Sequence, residues 1–595
     1  MKSLLLLLPI VSVAQAALPD IDTTFIATTH KVPADPFKTN ILFRGYVDTV
    51  TTVGGVKTLA KDWNDFNAYV PINGRSDSGY LIVSHEMIKA DAILGDGGGM
   101  TVMSVAKSAD GWRVVDHPKG KFRAIDFSKV GGTLANCGGA VLANGNVMTA
   151  EEWGQTSNAG IAALAKDPAD TSKRIMTGIT DTSDYVVKRF NGQDVNITIP
   201  RYKNFNWMVQ VNPATGEAVR KHYEMGRFDH EGGVFMEDGK TVYLTDDFTP
   251  AVFFKFVAKT AGDYDVGQLY AYKQSDDGAT GSWIELPMVF DSMLVAREVA
   301  LRRGATTFTR HEWIDKIGGK VYITETGRDK SAEHYKWTKK GATMAKHLRD
   351  RLPSGTTVTL YNGEKRGDST VTDYYGRVLV FDPATDKMSV LLEGGRGVTN
   401  TAKHLSNPDG LATARIGNRD YLFIQEDLNG LSQGRVSPEA EAAGRVICEA
   451  YLLDLGEPAT VDNLKRVFVG PAGSEVTGGI FTPDGTTMFI NPQHPDEKLA
   501  APYNTSYTVA VSGFDANSTK VLDRAPGRGK TLQIAIDPVG RWARFDRTID
   551  VKIHDAQGNR IGSHQKVNAL DLATYQAGTY FLDAGKQGVH KIVVQ

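Results

Sequence analysis

Only two cysteines, Cys137 and Cys448, occur in 595 residues. So few thiols exclude a disulfide-stapled scaffold. The chain has no excess of either charge: 67 Lys and Arg face 69 Asp and Glu, a net of −2. That balance supplies no global field for nucleic acid or an anionic membrane surface. Beyond the N-terminus there is no apolar run long enough to cross a bilayer as a helix. Cys-x-x-Cys and His-x-x-x-His are missing, which leaves a structural zinc site without its ligands. No Gly-x-Ser-x-Gly elbow and no Gly-x-x-x-x-Gly-Lys-Ser/Thr loop occurs, which disfavours a serine hydrolase and a P-loop nucleotide site. The glycine-rich run Asp96–Met100 reads as a loop.

The N-terminus is export-like. Lys2 precedes the apolar run Leu4–Val13, and Ala14-Gln15-Ala16 is a small-x-small cleavage site. Residues 1–16 are therefore expected to be a signal peptide. The mature protein is expected to be exported (periplasmic, secreted or at the cell surface), soluble and monomeric. No twin-arginine pair precedes the apolar run.

What the chain does have is a repeated plan: a turn, a strand, then acidic or amide residues. It appears six times, ending at Glu86, Glu152, Asp247, Glu325, Asp427 and the Asn491–His494 region. Gly, Asn and Asp open each unit as turn formers, and β-branched and aromatic residues follow. Each unit has room for about four strands, the content of one propeller blade. Pieces such as Val209–Glu217 and Leu379–Lys387 read as outer strands of the same blades. An all-β propeller of about six blades is predicted over 17–516. Stretches near 155–205 and 328–370 read as insertions over one face. Residues 517–530 read as a linker, and 531–595 as a small C-terminal β-sandwich that resembles sorting or surface-anchoring modules.

If the six strands are innermost, their acids converge at one mouth: Glu86, Glu151, Glu152, Asp246, Asp247, Glu325, Glu426 and Asp427. So many carboxylates stay ionised together only against cations. Oxygen ligands select hard ions such as Ca²⁺ or Fe³⁺. Four clusters add candidates: Asn136-Cys137-Gly138-Gly139, Asp229-His230-Glu231-Gly232-Gly233, Arg310-His311-Glu312-Trp313, and Gly473-Ser474-Glu475. Cys448, in an apolar strand, reads as an inert buried thiol.

Collinear runs including "LIVSHE", "GTLANCGGAVLANGNVMTAEE", "FDHEGG", "VYLTDD", "GATTFTRHEW", "NPDGLA", "FIQED" and "GSEVTGGIFTPDGTTMFINPQHP" resemble the PhoX-type alkaline phosphatases, secreted calcium- and iron-dependent propellers. The resemblance implies ferric and calcium ions in the channel and a small phosphate-ester substrate. It implies that Cys137 bridges the irons and that Glu151, Glu152, Glu231 and Glu475 are further ligands. Asp409 and Glu426 or Asp427 would serve calcium. Arg310 and Glu312 would carry a substrate-binding arginine and a metal-binding glutamate, and the nucleophile would be a metal-bound oxygen. Departures are present. Arg-His-Glu stands for Arg-Pro-Glu, Val141-Leu142-Ala143 for Thr-Pro-Trp, and Glu325-Thr326-Gly327 for Thr-Asn-Asn. Without the family's twin-arginine signal, the chain is expected to cross unfolded and acquire metals outside. Two other readings stand beside this one: a calcium-dependent lactonase- or diesterase-like propeller, and a non-catalytic calcium-stabilised binding propeller.

Overall fold

Runs such as Tyr80–Val83, Val242–Leu244 and Leu422–Ile424 set bulky apolar side chains on both faces of a strand, which suits a strand covered on both sides. In a computed structural model of the chain, all of them are buried except Tyr80, which is half-buried. The structure describes residues 18, 20–21, 28–162, 164–166, 175–327, 331–350, 358–359, 365–366, 375–394, 405–427, 448–514, 534–537, 542–555, 560–572, 575, 578–584 and 589–594. Two compact units result, 1–519 and 520–595. The expected signal peptide and linker lie outside the described residues.

Among the described residues unit 1 holds six sheets of four or more strands, antiparallel but for one parallel pairing at the outer side of the first, each opening on an inner strand: Asn64–Pro71, Asn136–Val141, His230–Phe235, His311–Ile317, Pro408–Ile416 and Glu475–Phe481. Each inner strand packs against the next, and the sixth packs against the first. The six sheets are therefore the blades of a closed propeller, which leaves no open seam between them. The sixth blade is completed by the N-terminal strand Lys38–Arg44, paired antiparallel with Tyr507–Ser512. Apolar clusters between neighbouring sheets glue the ring. One of them joins Phe66, Ile82 and Val102 of blade 1 to Val147 and Val209 of blade 2.

The blade number matches the six sequence units, but the strand assignment differs. The acid-ended units form the second strand of each blade, at Ser78–His85, Val147–Glu151, Thr241–Asp246, Lys320–Glu325, Arg419–Glu426 and Thr487–Gln493. The strand one hairpin upstream lines the axis instead. The two irregular stretches both leave from the end of a second strand. One carries a hairpin, Tyr185–Phe190 with Gln193–Ile199. The other carries helices Ser331–Thr338 and Lys346–Arg349.

In unit 2, strands Ile534–Asp537, Trp542–His554, Arg560–Asp571, Gly578–Asp583 and Val589–Val594 form one bonded sheet. It buries Phe545, Ile549, Val551, Leu570 and Leu582. Both cysteines are buried thiols outside any disulfide. Cys448 packs in an apolar cluster with Phe423 and Val476.

Candidate metal centre and active site

One backbone device recurs around the axis. In blades 1 to 5 the inner strand starts opposite the last residue of the second strand: Asn64 opposite His85, Asn136 opposite Glu151, His230 opposite Asp246, His311 opposite Glu325, and Pro408 opposite Glu426. The register then shifts, with one extra residue on the inner strand. Such bulges re-aim side chains. The first residue inside the five bulges is Asp65, Cys137, Glu231, Glu312 and Asp409. Blade 6 has the same shift but places Gly478 there. A side chain at Gly478 would meet the Asp65 carbonyl oxygen at 2.1 Å. Blade 6 instead offers Glu475, at the start of its inner strand.

The second strands add another layer. The backbone N–H of Glu86, Glu152, Asp247 and Asp427 donates to the carbonyl of Trp63, Ala135, Asp229 and Asn407 in turn. Strand alternation turns these four side chains to the axis and the residue before each into the blade. The inward-turned acids have their own partners. Lys221 Nζ meets Glu151 Oε1 at 2.8 Å, with both side chains fully buried. Thr133 Oγ1 also donates to Glu151 at 2.8 Å. Asp246 pairs with Arg297 Nε at 2.8 Å, and burial raises its carboxyl to about 6. Glu325 accepts from Thr309 N–H at 2.7 Å and pairs with Arg377 and His347. Glu426 accepts the N–H groups of Ser406 at 2.8 Å and Glu449 at 3.0 Å. Glu151 and Glu426, expected as metal ligands, are thus committed inside their blades and do not line the axial cavity. Asp246 and Glu325 depart from the expected convergence for the same reason.

The axial cavity has a volume of about 390 Å³. Glu86, Glu152, Glu231, Asp247, Glu312, Asp409, Asp427 and Glu475 line it, with Arg310, His494, Trp63, Trp153 and Phe248. Potential ligand atoms form three overlapping groups: Asp65, Glu86 and Cys137; Cys137, Glu152 and Glu231; and Glu231, Glu312 and Asp409. Within each group the atoms lie within 4.8 Å of one another. Cys137 and Glu231 each belong to two groups, as bridging ligands would.

Burial, and then mutual repulsion, pushes the carboxyls of Asp65, Glu152, Glu231, Glu312, Asp409 and Glu475 well above their ordinary range. Burial likewise pushes the Cys137 thiol up, and the surrounding carboxylates add to it. The thiol donates to Glu152 Oε2 at 3.3 Å. Asp65 Oδ2, Glu231 Oε2 and Asp409 Oδ1 are buried without a hydrogen-bond partner among the described residues. Orphaned oxygens beside a thiol are what a set of cations would satisfy. Oxygen donors suit Ca²⁺, and the added thiolate suits a transition metal such as iron.

Arg310 is held at one side of the cavity. Its Nε donates to Asp247 Oδ1 at 2.8 Å and its Nη2 to Oδ2 at 3.2 Å. Nη2 also lies 2.8 Å from Glu312 Oε1. Nη1 is buried without a partner among the described residues. Burial opposes ionisation of Asp247, but the Arg310 charge holds its carboxyl below the usual range.

The sequence profile of the family described as Alkaline phosphatase PhoX matches residues 40–496. The chain belongs to the PhoX family. It is therefore a phosphoester hydrolase of a metal-dependent family that acts on small phosphate esters. Among solved structures, Pseudomonas fluorescens PhoX in complex with vanadate, a transition state analogue, superposes with a TM-score of 0.59 and 20% identity. The match covers 84% of this chain and 98% of that one. A protein of unknown function from Dyadobacter fermentans covers 80% of this chain and 100% of its own at 8% identity and TM-score 0.33. The PQQ-bound aldose sugar dehydrogenase of Streptomyces coelicolor covers 81% and 99% at 10% identity and TM-score 0.29. No curated protein sequence matches the chain. No helix among the described residues is long and apolar enough to cross a membrane.

Of the PhoX-like site residues expected from sequence, Glu86, Cys137, Glu152, Glu231, Arg310, Glu312, Asp409, Asp427 and Glu475 meet around the cavity. Asp65 was not among them. Its run, Trp63-Asn64-Asp65-Phe66, has no flanking glycine and no acid-ended strand of its own. The signal that finds it is positional: a polar residue opening the strand one hairpin upstream of Glu86. Thr477 Oγ1 donates to Asp65 Oδ1 at 2.5 Å, which ties blade 6 to blade 1. Supporting residues were also missed. Trp153 Nε1 and Gln493 Nε2 hold Glu86 at 2.8 and 2.9 Å, and Trp313 Nε1 holds Glu231 at 3.2 Å. His311 packs against Phe308 in a tilted arrangement, 4.3 Å between ring centroids.

Proposed function

We propose that the chain is an exported phosphomonoesterase that works at the axial cavity. The observation that carries the reading is the convergence of three orphaned carboxylate oxygens with Cys137, beside an arginine with a free Nη1. Asp65, Glu86, Cys137, Glu152, Glu231, Glu312 and Asp409 would hold the cations, with calcium on the all-oxygen side and iron beside Cys137. Glu475 and Asp427 flank them. Bound cations neutralise the charge of a phosphate dianion and supply the activated oxygen for in-line attack.

The chain's own residues do the rest. Asp247 fixes the Arg310 fork through two nitrogens and leaves Nη1 for an equatorial phosphate oxygen. Gln493 and Trp153 fix Glu86 in one orientation, so its carboxylate needs no rearrangement when a cation arrives. Trp63, Trp153 and Phe248 wall the cavity and exclude water from the reacting phosphate. Among the described residues the cavity lining contains no serine, threonine or lysine.

Elemental analysis of the purified protein, paired with hydrolysis of 4-nitrophenyl phosphate with and without EDTA, tests the reading. Bound calcium and iron, with turnover lost on chelation, is the expected result. Cys137→Ser is expected to lower iron content and turnover together. A Cys137→Ser protein with wild-type metal content and turnover would overturn the bridging-thiolate assignment.

A further inference from the structure

Away from the axis, outer strands of blade 1 and the turn at Thr215–Gly216 enclose a second cavity of about 440 Å³. Lys57, Lys119, Arg123 and His117 line it together with Thr51 and Thr52, and among the described residues its lining contains no carboxylate. In a chain whose charges nearly cancel, such a one-sided wall is local design.

Arg123 is the fixed element. Its strand, Phe122–Ala124, pairs with Val102 on one edge and with Thr51 on the other. The residue is 4% exposed. Its guanidinium lies over the Tyr80 ring, 5.6 Å from the centroid, and Nε and Nη2 have no acceptor among the described residues. A guanidinium cannot escape burial by losing its proton, so an uncompensated one calls for an anion. The opposite lip is shaped to match. Gly120, at φ +113, lies so close to Thr51 that a side chain there would meet Thr51 Oγ1 at 2.5 Å. This turn carries Lys119, whose N–H donates to His117 Nδ1 at 3.1 Å and so leaves the proton of a neutral ring on Nε2.

We propose that this cavity is an oxyanion site, distinct from the catalytic one, that takes a phosphate group, either free inorganic phosphate or the phosphate end of an ester. Three cations and a set of hydroxyls match a dianion with several acceptor oxygens. A carboxylate would leave most of the charge unanswered. The site uses none of the axial residues, so it stands or falls separately from the catalytic reading.

The test is calorimetric titration of the metal-loaded, full-length protein with inorganic phosphate, phenylphosphonate (whose P–C bond resists hydrolysis) and acetate. Two phosphate sites are expected in the wild type. Arg310→Ala should weaken one of them. The Lys57→Ala/Lys119→Ala double variant, at two exposed side chains, should weaken the other at least tenfold with turnover of 4-nitrophenyl phosphate unchanged. Phosphonate binding at the second site would assign it to esters as well, and phosphate alone would assign it to the free anion. A single phosphate site abolished by Arg310→Ala would overturn the proposal. So would a second site untouched by the double variant, or one that takes acetate as tightly as phosphate.

Discussion

Adjacent glutamates at one strand end provide the sharpest test of the site, because the structure gives Glu151 and Glu152 opposite roles. Glu151 faces into blade 2, where Lys221 contacts both its oxygens at 2.8 and 3.1 Å with neither side chain exposed. Glu151→Gln keeps an acceptor oxygen for the Trp207 N–H and can turn its amide N–H₂ to the Thr133 hydroxyl oxygen, but leaves a buried ammonium facing a neutral amide. Breaking one side of a buried pair costs about 3–5 kcal/mol, and the retained hydrogen bonds favour the lower end. At roughly 2–4 °C per kcal/mol for units of 150–250 residues, and less for a larger one, the melting point should fall by several degrees. Metal content should stay at the wild-type value. Glu152 faces the cavity beside Cys137 and Glu231. Glu152→Gln should lose metal and at least about a hundredfold in turnover, the scale of removing one charge-stabilising group from an active site. In chelated protein its melting point should hold or rise, because one of several repelling carboxyls is gone. Scanning calorimetry with and without EDTA, alongside elemental analysis, reads both effects. Glu151→Gln that strips metal at an unchanged melting point would refute the assignment. So would a chelated Glu152→Gln protein destabilised as much as Glu151→Gln.

Three further outcomes are expected. Arg310→Lys cannot reproduce the two-nitrogen grip on Asp247 together with a free donor, so kcat/KM for 4-nitrophenyl phosphate should drop by about 10²–10³ with metal content unchanged. Trp153→Phe removes the 2.8 Å donor to Glu86 Oε1, and calcium titration should show a loss of affinity of about 10–100-fold. In chelated protein, the raised carboxyls of Asp65, Glu152, Glu231, Glu312, Asp409 and Glu475 keep protons that the unfolded chain releases above about pH 4–5. Stability should therefore fall as pH rises from about 5, and bound cations should remove that fall. A chelated melting point that climbs over the same interval would contradict it.

The blade number was legible because each second strand is a compact word: turn formers, then β-branched and aromatic residues, then acids. The inner strands were not legible as strands. Gly138-Gly139 and Gly232-Gly233 carry no strand-forming side chains, yet they lie in inner strands where neighbouring blades approach closely. A Cβ at Gly138 would lie 2.1 Å from the Glu231 carbonyl oxygen. Composition also could not separate Glu151 from Glu152 or Glu426 from Asp427. Strand alternation alone decides which of two neighbours meets the cavity. The partner that retains the other (Lys221 for Glu151, with Arg466 and Glu449 near Glu426) sits on a later strand. Asp65 escaped notice because a bulge, a matter of pairing register, aims it.

The strand Lys38–Arg44 gives the propeller a clasp made before anything it fastens to. It stays without a hydrogen-bonded neighbour until Tyr507–Ser512, at the far end of the same unit, has been synthesised. The blade it completes also reaches the axial acids of blade 1, through Thr477 on Asp65 and Gln493 on Glu86. Proteolytic trimming into the clasp would bare the Tyr507–Ser512 edge and loosen one wall of the reservoir, although every liganding side chain survived.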